Sequence, residues 1–177
     1  MGIEKDNAVM EAIFTRRSVR HFKEDPIPDE CLEALARAAI YAPSGMGLQT
    51  WQVTVVKNRR LIGRLAAVIA GVLKRDGYDM YRPAAVIAVS NRRDSKYGKE
   101  DDACALENIF LAAHSMGIGS VWINQLQGIC DDPAIRPVLD EMKIPADHLI
   151  YGMEALGYSA EPEKRDVVKK GKIVIVE

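Results

Sequence analysis

The sequence predicts a mixed fold of the α+β class. Its 177 residues fall within the usual size of one domain, and 48% of them are hydrophobic against 28% charged, which suits a chain that buries a real core. Amphipathic helical stretches and short apolar strands follow one another, but without a regular strand–helix–strand repeat. We therefore expect a single domain over residues 1–177.

Two helices are predicted before the first strand. The first runs near Asp6 to Arg16, where an apolar stripe recurs at helical spacing at Val9, Met10, Ile13 and Phe14. The second begins at Pro28, which suits a first helical position. It ends before Pro43 and Gly45, because both residues interrupt helices.

Strands and helices alternate in the rest of the chain. Apolar runs predict strands at 51–56, 84–89, 121–123, 149–155 and 173–176. Longer amphipathic patterns predict helices at 60–73 and 101–116, with a short helix before the fourth strand and Gly117 as a C-cap. The second half of helix 101–116 is apolar nearly all round, which predicts burial on every side and packing against a partner subunit.

Composition and charge exclude several classes of protein. Lys and Arg number 24 against 25 Asp and Glu, so the chain lacks the basic excess of a nucleic-acid binder. The longest apolar stretch has nine residues, 65–73, whereas a membrane-spanning helix needs about 20. The acid-rich N-terminus lacks the apolar run of a secretion signal. The three cysteines are scattered along the chain and do not suggest disulfides. We therefore expect the protein in the cytoplasm.

The charges are unevenly placed along the chain. Residues 59–99 hold ten Lys or Arg against three acids, and residues 100–163 hold 12 acids against two Lys or Arg. These segments are either two solvated surfaces that fold beside each other or a positive rim that attracts an anionic ligand such as a reduced pyridine nucleotide. If that ligand is a reduced pyridine nucleotide, the basic segment favours the more highly charged NADPH over NADH by charge alone.

Metal and nucleophilic chemistry have little support. The histidines lie in different segments and no HExxH or CxxC occurs, so no metal site is predicted. Cys104 and His114 lie roughly 15 Å apart along one helix and cannot pair. We expect Cys104 in the core and His114 as a satisfied or surface histidine.

Gly45-Met46-Gly47 is not a dinucleotide fingerprint, because it follows a helix and precedes a strand.

A dense set of cations lies at Arg16-Arg17-Ser18-Val19-Arg20. Three guanidiniums and a hydroxyl within five residues suit an anion such as phosphate. If the chain leaves the helix at Ser18, alternation places Ser18 and Arg20 on one face. The alternative is that Arg16 and Arg17 cap the C-terminus of the first helix.

A second segment, from Ala42 to Trp51, joins a helix to a strand. Its glycines allow the backbone to approach a flat ligand, and Ser44 and Gln49 supply polar groups. The alternative is an ordinary connecting loop.

Taken together, four motifs resemble the nitroreductase family of flavin enzymes. They are RRSVRHF, the loop APSGMGLQTWQ, ENIFLAAHSMGIGSVWI and LGYSAEPEKRD, in this order from residue 16 to 166. The resemblance extends from about residue 8 to 166. The resemblance implies a mixed central sheet flanked by helices and a homodimer with two FMN sites at the subunit interface. It also implies an NAD(P)H oxidoreductase that reduces nitroaromatics, quinones or similar flat electrophiles by a two-electron ping-pong reaction, with no nucleic-acid or membrane partner.

The resemblance also implies a set of cofactor-binding residues. Arg16 and Arg17 would hold or flank the FMN phosphate, with Ser18 beside the phosphate and the ribityl chain. Arg20 would reach the N1–O2 edge of the flavin. Arg165, with Lys164 nearby, would be a second phosphate contact. Pro43, Ser44 and Gly45 would come from the other subunit. The full set is Arg16, Arg17, Ser18, Arg20, Pro43, Ser44, Gly45, Met46, Gln49, Ile123, Asn124, Gln125, Lys164 and Arg165. Hydride would arrive at flavin N5, so no catalytic side chain is required.

Two departures from the family pattern keep alternatives open. Gly47 stands where the family commonly has Asn, and Thr50 where it has Pro; residues 74–82 also leave little room for the insertion that covers the site in longer members. The alternatives are a non-catalytic FMN-binding, storage or regulatory protein, or a member with divergent flavin chemistry such as dehalogenation or desaturation.

Overall fold

A computed structural model of the chain describes residues 7–162 and 167–177. Within these residues the order of elements is α1 (Ala8–Thr15), α2 (Asp29–Ile40), a 3₁₀ turn (Gly45–Gly47), β1 (Trp51–Val56), α3 (Arg59–Leu73), β2 (Ala85–Arg92), α4 (Gly98–Ser115), β3 (Gly119–Ile123), α5 (Arg136–Glu141) and β4 (His148–Gly157). The predicted helices and the first four predicted strands are confirmed, with ends that differ by a few residues.

The four strands form one sheet in the order β1-β2-β4-β3. Each neighbouring pair is antiparallel, with Val53 opposite Val89, Ala88 opposite Met153 and Val121 opposite Ala155. The predicted α+β class is confirmed. Next to β3, Ser18 and Ser120 form an isolated parallel bridge.

Helices cover both faces of the sheet and bury a separate apolar cluster on each. On one face α2 and α4 pack over β2, with Leu35, Ile87 and Ile109 in the cluster. On the other face α3 and α5 supply Leu65 and Leu139. Each of these side chains is almost fully buried, which contributes roughly 1.5–3 kcal/mol apiece.

The end of α4 sets the starting point of β3. Gly117 adopts a φ of 72°, and the amides of Gly117 and Ile118 donate to the carbonyls of His114 and Ala113 at 3.0 and 2.8 Å. This pair of bonds is the Schellman arrangement, which requires the left-handed conformation that glycine adopts at little cost. The predicted C-cap at Gly117 is confirmed.

Two sequence predictions about packing are wrong. Residues 173–176 form no strand, and their side chains are 80–91% exposed, because an apolar run makes a strand only where a sheet edge pairs with it. Cys104 is exposed, not buried, since it lies on the side of α4 away from Ala105 and Ile109.

The apolar second half of α4 is only partly enclosed by its own chain. Ile109, Phe110 and Ala113 are buried, whereas Leu111 and Ala112 are half-buried. Packing of this helix against a partner subunit stays a prediction.

Two further observations concern the surface. Among the described residues, no helix is long and apolar enough to cross a membrane; the cytoplasmic location stays a prediction. The basic and acidic segments fold side by side, because Arg64 pairs with Glu141 and Arg93 with Asp131.

Candidate functional site

A cavity of about 360 Å³ opens where α1 ends and β3 begins. Its lining comes from the cation-rich segment, from the turn between α4 and β3 and from the residues after β4. The lining residues are Thr15, Arg16, Arg17, Ser18, Val19, Arg20, His21, His114, Gly117, Ile118, Gly119, Ser120, Ser159, Glu161 and Pro162.

Backbone hydrogen bonds fix the cation-rich segment beside the sheet. The Val19 amide donates to the Ser120 carbonyl at 2.9 Å, which extends the sheet beyond β3. Further along, the Lys23 amide donates to the Tyr158 carbonyl at 2.8 Å. The segment therefore spans the ends of β3 and β4.

Two glycines make this close approach possible. A Cβ atom at Gly119 would lie 2.9 Å from the Val19 side chain, and one at Gly157 would lie 2.8 Å from the Phe22 ring. Such distances are well inside van der Waals contact. Val19 packs against the sheet in this way, and Ser18 and Arg20 on either side of it both line the cavity, as the predicted alternation requires.

The first two arginines play different local parts. Arg17 donates to the Phe14 and Arg16 carbonyls at 2.6 and 2.7 Å, so the helix-capping alternative describes this residue. Its buried Nε has no hydrogen-bond partner among the described residues. The Arg16 guanidinium lies 5.3 Å from the centre of the Phe110 ring, a cation–π contact that leaves its N–H groups free for the cavity.

The histidines at the cavity are engaged by neighbouring side chains. Nε2 of His114 lies 2.7 Å from the Thr15 hydroxyl, as expected for a satisfied histidine. His21 lies 3.5 Å from the Glu161 carboxylate, and both are substantially exposed. Among the residues described, no cluster of three or more His, Cys, Asp or Glu could hold a metal ion.

A buried glutamate lies behind the cavity and was missed in the sequence. Glu154 is 0% exposed in the middle of β4, and neither of its oxygens has a hydrogen-bond partner among the described residues. Burial raises the pKa of this carboxyl well above its usual value, while the Ser120 hydroxyl and the Arg16 charge act the other way. The sequence did carry a signal for this buried acid: Glu154 lies within the run 149–155, which predicts a buried strand, and an acid in such a strand is unusual.

The glycine loop is held by contacts with α4. The Gly45 amide donates to Asp101 at 2.8 Å and the Gln49 amide to the Ser44 hydroxyl at 3.1 Å. A Cβ at Gly45 would lie 2.3 Å from the Tyr97 ring, so only glycine allows this approach. Three loop residues adopt left-handed conformations, with φ of 58°, 66° and 47° at Met46, Gly47 and Gln49.

A polar chain anchors the other end of this loop. The Thr50 hydroxyl donates to Asn91 at 2.6 Å, and the Asn91 amide donates to Asp102 at 3.0 Å. The second oxygen of Asp102 has no partner among the described residues. Burial raises the pKa of Asp102 to about 7. Thr50 thus gives the loop a hydrogen bond that proline could not donate.

The predicted site residues fall into separate groups. Arg16, Arg17, Ser18 and Arg20 meet at the cavity, but within the described residues of one chain neither loop 43–49 nor segment 123–125 lines it. The Ile123 side chain is buried in the core. Asn124 accepts from the Trp122 indole at 3.3 Å, beyond the far end of β3. Lys164 and Arg165 lie outside the described residues.

The donors at the cavity suit a phosphate monoester. Arg16, Arg17 and Arg20 bring three positive charges to one opening, and Ser18 adds a hydroxyl. Arginine donates in a planar fork that matches phosphate oxygens. Gly117 leaves open space where a side chain would otherwise stand at the cavity wall.

Fold and site together define an α+β protein with a cationic cavity at the sheet edge. The model of the nitroreductase family matches residues 13–84 and 73–158 of this chain. The chain therefore belongs to the nitroreductase family.

Individual relatives agree with this assignment. A protein of Methanothermobacter thermautotrophicus, provisionally named NADH dehydrogenase/NAD(P)H nitroreductase, is 30% identical over 93% of this chain and 85% of its own. A crystal structure of a Bacteroides fragilis nitroreductase with bound FMN is 40% identical, with a TM-score of 0.89 over 97% of this chain and 100% of that one. An FMN-bound nitroreductase from Desulfitobacterium hafniense is 28% identical, with a TM-score of 0.84 over 97% and 99%.

Proposed function

We propose that this protein is an FMN-dependent NAD(P)H oxidoreductase of the nitroreductase type, built as one domain over residues 1–177. Its substrates are nitroaromatics, quinones or similar flat electrophiles. The observation that carries the proposal is the cavity lined by Arg16, Arg17, Ser18 and Arg20. These donors are the ones that bind a phosphate monoester.

The protein's own residues bind and orient the cofactor. Arg16 and Ser18 hold its phosphate at the cavity, and Lys164 and Arg165 add a second contact. Arg20 is exposed at the cavity opening. A fixed cation at that position favours negative charge on the flavin ring beside it. When bound, FMN accepts a hydride from reduced nicotinamide and passes two electrons to the second substrate. No protein nucleophile is needed.

The proposed assembly is a homodimer with the cofactor sites at the subunit interface. The Gly45 amide ties loop 43–49 to Asp101, and within the described residues this loop does not line the cavity of its own chain. It therefore serves the partner's site through Pro43, Ser44 and Gly45. Large apolar side chains are exposed nearby and on α1, which is typical of an interaction surface. They are Val9, Ile13, Phe14, Ile40, Tyr41, Met46 and Leu48. Light scattering should give the mass of a dimer; a monomer with full FMN occupancy would contradict this arrangement.

The experiment that tests the activity is spectroscopic. The purified protein should show the flavin absorption bands and release FMN on denaturation. Added NADH or NADPH should bleach the bands without oxygen, and a nitroaromatic or quinone should restore them. The nucleotide that bleaches faster identifies the physiological donor.

The same experiment separates the alternatives. A yellow protein that neither nucleotide bleaches is an FMN-binding, storage or regulatory protein. A protein that is bleached but not reoxidised by nitro or quinone compounds has divergent flavin chemistry, which analysis of products would then identify. A protein that takes up no FMN contradicts the proposal as a whole.

A further inference from the structure

The buried Glu154 has no part in the function as described so far. It faces Trp122 on β3 and Ile87 on β2 in the sheet register, so its side chain lies on the face covered by α4. The Trp122 ring occupies the space above Gly152 on the same face, with its ring atoms 2.4 Å from a Cβ placed there. Phe110 stacks on Trp122, with ring centres 6.2 Å apart. The carboxyl is therefore enclosed by aromatic and aliphatic groups.

A carboxyl with no hydrogen-bond partner in such surroundings is costly, and proteins keep one only when something compensates. The charged and polar groups that face it come from three elements. Arg16, at the end of α1, lies over the Phe110 ring that stacks on Trp122. Ser120 lies on β3 two residues before Trp122, and Glu107 lies on α4, whereas β2 contributes the apolar Ile87. The charges of Arg16 and Glu107 and the Ser120 hydroxyl all act on the pKa of Glu154. Arg16 and Ser120 also line the cavity. Glu154 thus shares two neighbours with any anion bound there.

We propose that Glu154 is a positioning residue whose charge competes with a bound phosphate for the Arg16 guanidinium. While Glu154 is neutral, Arg16 is free to face the cavity and its positive charge is uncompensated. When Glu154 ionises, its carboxylate attracts Arg16 and adds a negative charge behind the site. The inference rests on the proposed function in one respect, that the anion at the cavity is the phosphate of FMN.

A definite pH dependence follows from this competition. Burial keeps Glu154 protonated above the usual range of a carboxyl, and a nearby phosphate raises its pKa further because like charges repel. By linkage, FMN binds more weakly as pH rises and Glu154 loses its proton, and binding at alkaline pH takes up protons. If the phosphate moves the pKa by about one unit, affinity falls about tenfold.

The test compares the wild type with Glu154→Gln, which fixes the neutral form. FMN affinity of the apoprotein is measured by quenching of flavin fluorescence from pH 7 to pH 10, a range in which a phosphate monoester is already a dianion (second pKa about 6). We expect the variant to bind FMN about as tightly as the wild type while Glu154 is neutral, and the ratio of variant to wild-type affinity to rise towards about tenfold as pH rises and Glu154 ionises. The control Glu33→Gln, an exposed change on α2, should show the wild-type FMN affinity at every pH.

Calorimetry of the wild type gives a second readout that needs no variant. FMN binding in buffers of different ionisation enthalpy should show net proton uptake over the pH range in which wild-type affinity falls, and none below that range. Parallel pH profiles for wild type and variant, or no proton uptake, would overturn the inference while leaving FMN binding intact. No FMN binding at any pH would overturn the proposed function and the inference together.

Discussion

Replacing Asp102 by asparagine should stabilise the protein at pH 8 and destabilise it at pH 4. Asp102 is completely buried, its first oxygen accepts from Asn91 and its second has no partner among the described residues. Burial raises its pKa from 3.8 to about 7. Asparagine keeps the acceptor for Asn91 and has the shape of the neutral acid, but it never carries the buried charge.

The size of the effect follows from the pKa. Between about pH 4 and 7 the folded state holds the Asp102 proton and the unfolded state does not, so the free energy of unfolding falls as pH rises and levels off above 7. A shift of roughly three units corresponds to about 4 kcal/mol. The new amide N–H replaces the unpartnered oxygen at a cost of about 1–3 kcal/mol. The net gain at pH 8 is therefore about 1–3 kcal/mol, and at pH 4 only the cost remains.

Urea unfolding followed by circular dichroism at pH 4, 6 and 8 measures this crossover. Each 1 kcal/mol corresponds to about 2–4 °C in thermal midpoint for a chain of this size. Asp76→Asn, at an exposed position, is the matched control and should behave like the wild type. A stability difference between Asp102→Asn and wild type that is the same at pH 4 and pH 8 would refute the reasoning.

Two further changes test the cavity directly. Arg16→Ala removes a charge-assisted contact of about 1.5–3 kcal/mol and should weaken FMN binding about 10- to 150-fold, as measured by fluorescence quenching. The control Arg60→Ala, exposed on α3, should leave FMN affinity unchanged. Unchanged affinity in Arg16→Ala would contradict the phosphate assignment. Gly119→Ala places a Cβ 2.9 Å from Val19, so the cation-rich segment must move off β3, which should cost about 1–3 kcal/mol in urea unfolding and reduce FMN affinity. Gly63→Ala, with open space around the new methyl, should instead stabilise α3 by about 0.5–1 kcal/mol. If Gly119→Ala and Gly63→Ala changed the free energy of unfolding equally, the cation-rich segment would move away from β3 without cost, against this prediction.

Much of the fold could be predicted from local pattern. The strand 51–56 was predicted with its observed ends, and the stop at Gly117 was predicted as a C-cap. The ordered motifs also identified the family and the cation-rich segment that lines the cavity. These features depend on residue periodicity and on backbone preferences, which are written within a few neighbouring residues.

Other features depend on which distant segments meet. The apolar run 173–176 predicted a strand, but no sheet edge among the described residues pairs with it. Asp101 binds a loop amide 56 residues away, and the charges of Arg16 and Glu107 act on the pKa of Glu154, although nothing near either acid in the sequence indicates these neighbours.

The sequence by itself therefore determined the helices, most strands and the chemical character of the cation-rich segment. The tertiary structure alone decided which arginine caps a helix, which acids are buried and where the glycine loop is held. The physical reason is that hydrogen bonds and charges across long sequence separations form only after the sheet and helices have packed, and local propensity carries no record of that packing.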